Sequence, residues 1–365
     1  MKLTASKFST LIASVALLLT SCTEVTKDSK KAAELSHGII LKNMDTTINP
    51  KDDFYNYVNG NWMKNTKIPE DRTIWGGFSV LRKSTDKDVL DILAKAKKNG
   101  NYNADTDQAK ALFLFDSKLD IDTRNTAGIN PLQPALDAIA SINNLNDLQT
   151  VLMTVPNVSS PFMEFVSFGD LNDSTINAAY LTENGLGLGE RDYYLDMDTK
   201  SVEIRSKYVE HISRMLQFLG DNETDANTQA KQILAFETRL AEPRMDKVER
   251  RDARKRYNPR SISELQNMVP AINWKNYFEG IGVKKIDTII VSEVKYMDIL
   301  QSILAENNVS DWKVYLRWSA LNRASGMLST NLETASWEFY GKDLRGAKKE
   351  RPRNESALQT LNGTI

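Results

Sequence analysis

Few residues in this 365-residue chain have types and spacings that support catalysis, and their positions exclude several reactions at once. Only two histidines occur, His37 and His211. A helical zinc-hydrolase centre needs two histidines four apart on one helix face, a glutamate base beside them and a further carboxylate ligand. Neither histidine has that neighbourhood, so no catalytic residue and no metal ligand is assigned. Within Val209-Glu210-His211-Ile212, His211 reads as a helix-surface or partly buried side chain. Asp52 and Asp53 pair two carboxylates, but their place at the start of a helical pattern is explained by capping. Gly185, Gly187 and Gly189 look superficially like a phosphate loop. The preceding strand, following helix and downstream acid of a dinucleotide site are not expected there, so a structural turn is the better reading. The basic run 247–256 is interleaved with Glu249 and Asp252. It reads as a salt-bridged helix end rather than a nucleic-acid surface.

Cys22 is the only cysteine, which excludes an internal disulfide. It follows Lys2, Lys7 and an apolar stretch over 8–19 that is too short to span a bilayer roughly 30 Å thick. The sequence Leu19-Thr20-Ser21-Cys22 resembles a bacterial lipoprotein signal. Residues 1–21 are therefore expected to be a signal peptide, Cys22 the lipidated residue, and 22–43 a solvated tether. Acyl chains contribute about 0.8 kcal/mol per buried methylene and anchor a protein without a spanning helix. The expected location is the bacterial cell envelope. The 47 basic and 48 acidic residues nearly cancel, which gives no global attraction to nucleic acid. Asn172 and Asn362 head Asn-x-Ser/Thr triplets that are read as chance.

The elements that must position these residues are mostly helical. Phe54, Val58 and Trp62 recur every four residues behind Asp53. A second helix starting near Phe78 is expected to turn Leu81, Val89, Ile92 and Leu93 inward. Further helices are expected over 107–119, from Asn130-Pro131 through Ile142, and from Ser201 onward. Ser261-Ile262-Ser263-Glu264 is a capping box. Alternation over 162–167, turn residues at 171–174 and a return over 176–181 predict one β-hairpin. Residues 286–291 suggest a short buried strand, and 311–339 reads as packed helix. The predicted class is mainly α, with a small β-hairpin.

Four ordered blocks give the chain a specific resemblance. The first holds Asp53, Phe54, Tyr55, Asn59-Gly60, Trp62 and Ile68-Pro69. The second is Leu186-Gly187-Leu188-Gly189-Glu190-Arg191-Asp192-Tyr193-Tyr194-Leu195, with Gly189 where proline is usual. The third holds Glu237, Leu240, Ala241, Glu249-Arg250-Arg251-Asp252 and Tyr257-Asn258. The fourth holds Leu344-Arg345-Gly346, Arg351-Pro352-Arg353, Ala357-Leu358 and Asn362-Gly363. Together they resemble the N-terminal part of the neprilysin-like zinc metallopeptidases, the M13 family.

The resemblance implies that 44–365 forms the multi-helix cap lobe of a peptide-hydrolysing enzyme. Zinc would belong to the intact enzyme, with no cofactor in this chain. The chain looks truncated before the H-E-x-x-H half, and is expected to be inactive alone. Peptide substrate and a separate catalytic chain are the implied partners. Arg82, and Arg72 near a second family position, are the residues that the resemblance offers for holding a substrate carboxylate, which suits a bidentate guanidinium. A non-catalytic peptide-binding lipoprotein and a helical carbohydrate-binding lipoprotein are the competing readings. A final expectation is an exposed apolar face over 337–365, where Ala357, Leu358 and Leu361 continue a stripe that further helices would cover.

Overall fold

The computed structural model describes residues 38–156, 158, 160–306 and 308–364. Cys22, His37 and the expected signal and most of the tether lie outside the described residues. Two compact units follow one another, divided between Lys67 and Ile68.

In the first unit, helix α1 (Phe54–Asn65) starts where Asp53 accepts the Asn56 N–H at 2.9 Å. The Phe54 stripe does not form its buried face, since Phe54 is exposed and Gly60 is the buried residue. A β-carbon on Gly60 would lie 2.7 Å from that of Asp45, so only glycine allows the approach. Asp45 is buried there. It accepts from Lys64 Nζ at 2.5 Å and from the Thr47 hydroxyl at 2.6 Å, and these bonds hold its pKa down at about 2.

The second unit is built on helices, with a small sheet. Helices α2 (Gly77–Asn99), α3 (Asp107–Leu119), α4 (Ile121–Ala127), α5 (Gln133–Ala140) and α6 (Leu145–Thr154) lead into strands β1 (Met163–Gly169) and β2 (Asn177–Glu183). Helices α7 (Asp192–Leu195), α8 (Thr199–Gln217) and α9 (Glu223–Ala241) follow. Next come β3 (Asn258–Ser261), α10 (Ile262–Met268), α11 (Trp274–Gly280) and β4 (Thr288–Val291). Helices α12 (Val294–Ala305), α13 (Val309–Ala324), α14 (Thr330–Trp337) and α15 (Arg353–Thr364) complete the chain, with a π-helical turn over Glu338–Leu344 after α14. The fold is mainly α, as the periodicity indicates.

The expected hairpin is present, with Met163 opposite Glu183 and Gly169 opposite Asn177. It belongs to a larger sheet, ordered β1-β2-β4-β3, in which β4 runs parallel to β2 and antiparallel to β3. Strand β3 carries Pro259 on the sheet edge, where a missing N–H breaks no internal ladder. The capping box forms as read: Ser261 Oγ accepts the Glu264 N–H at 3.2 Å, and Glu264 accepts the Ser261 N–H at 2.8 Å.

The glycine passage has a strand before it after all, because β2 runs to Glu183. It is still a structural turn. The Gly187 N–H is given to Glu237 Oε1 at 3.2 Å, and a β-carbon on Gly187 would sit 1.7 Å from the Tyr208 hydroxyl. The basic run is a short 3-10 turn rather than a helix end, and its charges pair outward: Lys247 with Asp192, Arg250 with Glu190 and Lys255 with Glu249.

Two expectations about burial fail. Leu81 and Ile92 point outward, 62% and 61% exposed, while Val89, Leu90 and Leu93 form the inner face of α2. Nor is the described part of 337–365 an exposed apolar face. Ala357, Leu358 and Leu361 are buried against Phe115, Leu114 and the inner face of α2, and Phe339 is buried in the main core. Strongly exposed apolar side chains lie elsewhere, among them Ile74, Phe78, Phe113 and Met197. Because Leu358 is closed into this seam, Leu358→Ala is expected to cost about 2–5 kcal/mol in urea unfolding. A loss under about 1 kcal/mol would show that α15 packs loosely.

Candidate functional site

A cavity of about 620 Å³ opens between the segment before α2, the ends of α3 and α13, helix α14 and helix α15. Its charged lining is Arg72, Lys118, Arg323, Arg345, Lys349, Arg351 and Arg353 against Asp71, Glu333 and Glu350. Seven cations against three carboxylates make it a strongly positive recess in a chain whose total charge nearly cancels. Low-dielectric walls focus such a field on an entering anion.

One acid organises the floor. Glu333, on α14, accepts from Lys118 Nζ, from Arg124 Nη2 at 3.1 Å and from Arg353 Nη1 at 2.9 Å. Burial alone would raise its carboxyl, but these cations outweigh it and hold the pKa below the ordinary range. Burial pushes the Lys118 ammonium down, and Glu333 opposes that shift. Arg124 also donates to the carbonyls of Lys118 at 2.9 Å and Gly326 at 3.0 Å, which ties α4 to the end of α13.

The two arginines indicated by the sequence separate here. Arg72 lines the cavity, but Asp71 at 2.6 Å and Glu355 at 2.5 Å already engage its guanidinium. Arg82 does not line it. Its side chain is 63% exposed, with Nε 4.0 Å from Asp86, and it contributes only repulsion felt at Arg351. Among the described residues, Arg323, Arg345 and Arg351 line the cavity with no carboxylate within 4.0 Å. Burial and the nearby Arg72 lower the pKa of Arg351. These three were not singled out as candidates. The only signal was that Arg345 and Arg351 stand in the fourth block, where spacing says nothing about which way a side chain faces.

The family model described as Peptidase family M13, for the N-terminal part, matches residues 50–365. The chain belongs to peptidase family M13. Endothelin-converting enzyme 1 of Rattus norvegicus is 26% identical over 324 residues, which is 85% of this chain and 42% of that protein. The endothelin-converting enzyme homolog of Locusta migratoria is 29% identical over 346 residues, 88% of this chain and 47% of that protein. This M13 chain thus spans less than half the length of these relatives. Among solved structures, the Mycobacterium tuberculosis zinc metalloprotease Zmp1 with an inhibitor superposes with a TM-score of 0.83 at 29% identity, over 90% of this chain and 50% of that one. PepO from Lactobacillus rhamnosis shares the fold with a TM-score of 0.75 at 19% identity.

Zinc is the metal that M13 membership implies, and the described residues of this chain do not fit it. They contain no group of three or more His, Cys, Asp or Glu side chains able to hold an ion. His211 is buried on α8, its ring stacked on Phe339 at 4.9 Å and edge-on to Trp318 at 5.6 Å. Burial and Arg214 push its pKa down to about 3, so it is a neutral core aromatic. It is more deeply buried than the helix-surface or partly buried place expected of it. The expected capping role of Asp53 is met.

Proposed function

We propose that this chain is the non-catalytic half of a neprilysin-like zinc metalloendopeptidase, forming the cap over a cavity that holds peptides. The zinc chemistry would come from residues outside this sequence, either in a companion chain or elsewhere in the intact enzyme. The observation that carries this reading is a positive recess, in an M13 chain, where Arg323, Arg345 and Arg351 have no carboxylate partner. A peptide brings its own carboxylate, and guanidinium groups bind that group through paired N–H donors. In this reading Arg72, held by Asp71 and Glu355, braces the wall, and the exposed Arg82 adds positive potential at the approach. The exposed Ile74, Phe78 and Leu81 suit an apolar surface of the companion half. A lipid on Cys22, with 22–43 as tether, would hold the assembly at a bacterial cell envelope.

The test pairs the full chain with an H-E-x-x-H-bearing M13 half and measures peptide hydrolysis. Peptides with a free C-terminal carboxylate are compared with amidated versions. Charge-assisted hydrogen bonds contribute roughly 1.5–3 kcal/mol, so Arg351→Ala is expected to raise KM for free-acid peptides about 10- to 100-fold with kcat little changed. Amidated peptides should be insensitive to the substitution. No hydrolysis of any peptide by the paired halves would overturn the peptidase reading. Equal losses on both kinds of peptide would overturn the role of the recess.

A further inference from the structure

A second cavity, of about 530 Å³, lies at the start of α12, away from the recess described above. Six buried side-chain polar atoms among the described residues lack a hydrogen-bond partner. Three of them are Arg191 Nε, Arg244 Nη2 and Glu293 Oε1, and all three residues line this one cavity. A buried polar group without a partner is costly, so three in one place need a cause.

The rest of each side chain is firmly held. Arg244 is 8% exposed, gives its Nε–H to the Leu240 carbonyl at 3.0 Å and lays its guanidinium 5.3 Å from the Tyr296 ring centre. Glu293 is 2% exposed and accepts the Met245 N–H on Oε2 at 2.9 Å. Arg191 reaches only the Glu242 carbonyl, at 3.5 Å. Glu293 also occupies the N-cap position of the 12-residue helix α12 without capping it, so the first N–H groups of that helix have no side-chain acceptor from it. The site therefore gathers guanidinium groups and a helix N-terminus beside a carboxylate with one oxygen that lacks a donor.

We propose that this cavity binds the head group of a free α-amino acid, its carboxylate on Arg244, Arg191 and the α12 N-terminus and its ammonium on Glu293 Oε1. While the Glu293 carboxyl is ionised, a simple anion would satisfy the guanidinium groups but leave the Glu293 oxygen without a donor. The charge of the lining supports a zwitterion: Arg191, Arg244, Lys255 and Lys295 stand against Glu242, Glu249 and Glu293. Burial and the neighbouring Glu183 raise the Glu293 carboxyl to about 7, with Arg244 and Arg250 opposing, as befits a carboxylate short of a cationic donor. Pro243, Met245 and Val294 add apolar wall, which favours an aliphatic side chain.

The test is calorimetric titration of the full chain with L-leucine, N-acetyl-L-leucine, L-leucinamide, acetate and inorganic phosphate. L-leucine is expected to bind at least tenfold more tightly than either blocked derivative and than either anion. Arg191→Gln, at a half-buried position, and Glu293→Gln, which keeps an acceptor for the Met245 N–H, should each weaken L-leucine at least tenfold. Retained cooperative unfolding of both variants separates this from misfolding. Acetate or phosphate binding as tightly as L-leucine would reduce the site to an anion pocket and overturn the proposal. No L-leucine binding at millimolar concentration, or binding unchanged in both variants, would also overturn it.

Discussion

Glu237→Ala is expected to destabilise the 68–364 unit by about 3–5 kcal/mol, because each buried donor left without its acceptor costs about 1–3 kcal/mol. Glu237 sits on α9 and is 1% exposed. Its Oε2 accepts the hydroxyls of Tyr194 at 2.7 Å and Tyr208 at 2.9 Å, and its Oε1 accepts Tyr315 at 3.2 Å and the Gly187 N–H at 3.2 Å. One carboxyl thereby joins α7, α8, α13 and the glycine turn. Alanine would leave three buried hydroxyls and the half-buried Gly187 N–H without an acceptor. At about 2–4 °C per kcal/mol for a unit of this size, the thermal midpoint should fall by roughly 6–20 °C. Glu237→Gln keeps shape and one acceptor, and should lose much less. A fall under about 3 °C for the alanine variant would mean that solvent reaches the node and that it does not hold the helices.

The same node sets a pH dependence. Burial raises the Glu237 carboxyl above its ordinary 4.5, against the pull of its four donors. A carboxyl raised in the folded state contributes stability that is fully present below its unfolded value and is lost as pH rises through the folded one. The wild-type chain should therefore lose part of its stability above pH 4.5, and Glu237→Gln should flatten that decline.

Glu333→Ala is expected to have an effect of similar size with a different spatial signature. Lys118 and Arg124 are 2% and 7% exposed, and Glu333 is the only carboxylate within 4.0 Å of either among the described residues. Without it two cations remain buried beside each other, at a cost of about 3–5 kcal/mol. Arg353 loses the same partner, so the start of α15 and one wall of the basic recess should loosen. Urea unfolding reads the total, and amide hydrogen exchange should show faster exchange concentrated over 353–364. Removing the exposed Glu203 partner of Lys207 serves as control, since such pairs contribute about 0–1 kcal/mol. If Glu333→Ala behaves like that control, the cations are solvated and the node has no structural role.

The local level of this protein was legible in its residues. The helix over 107–119, the cap by Asp53, the Ser261 capping box and the hairpin all depend on side chains within a few positions of the backbone that they satisfy. The M13 resemblance was legible because four blocks keep their order. Partnership between distant segments was not legible. Helical periodicity marks a stripe on α2 but not which neighbour meets it, so Leu81 and Ile92 were placed inside when Val89 and Leu93 face Leu358. From the sequence the stripe of α15 reads as uncovered, because its cover, α3 with Phe115, lies more than two hundred residues earlier in the chain. Strand β4 pairs with β2 and β3 across intervening helices, so its own residues do not name its partners. The arginines divide in the same way. The sequence supplies the guanidinium groups, while the fold alone decides that Glu355 occupies Arg72 and leaves Arg345 and Arg351 facing an open recess. Charge and periodicity are properties of neighbouring residues, whereas burial and pairing depend on which distant surfaces close on them.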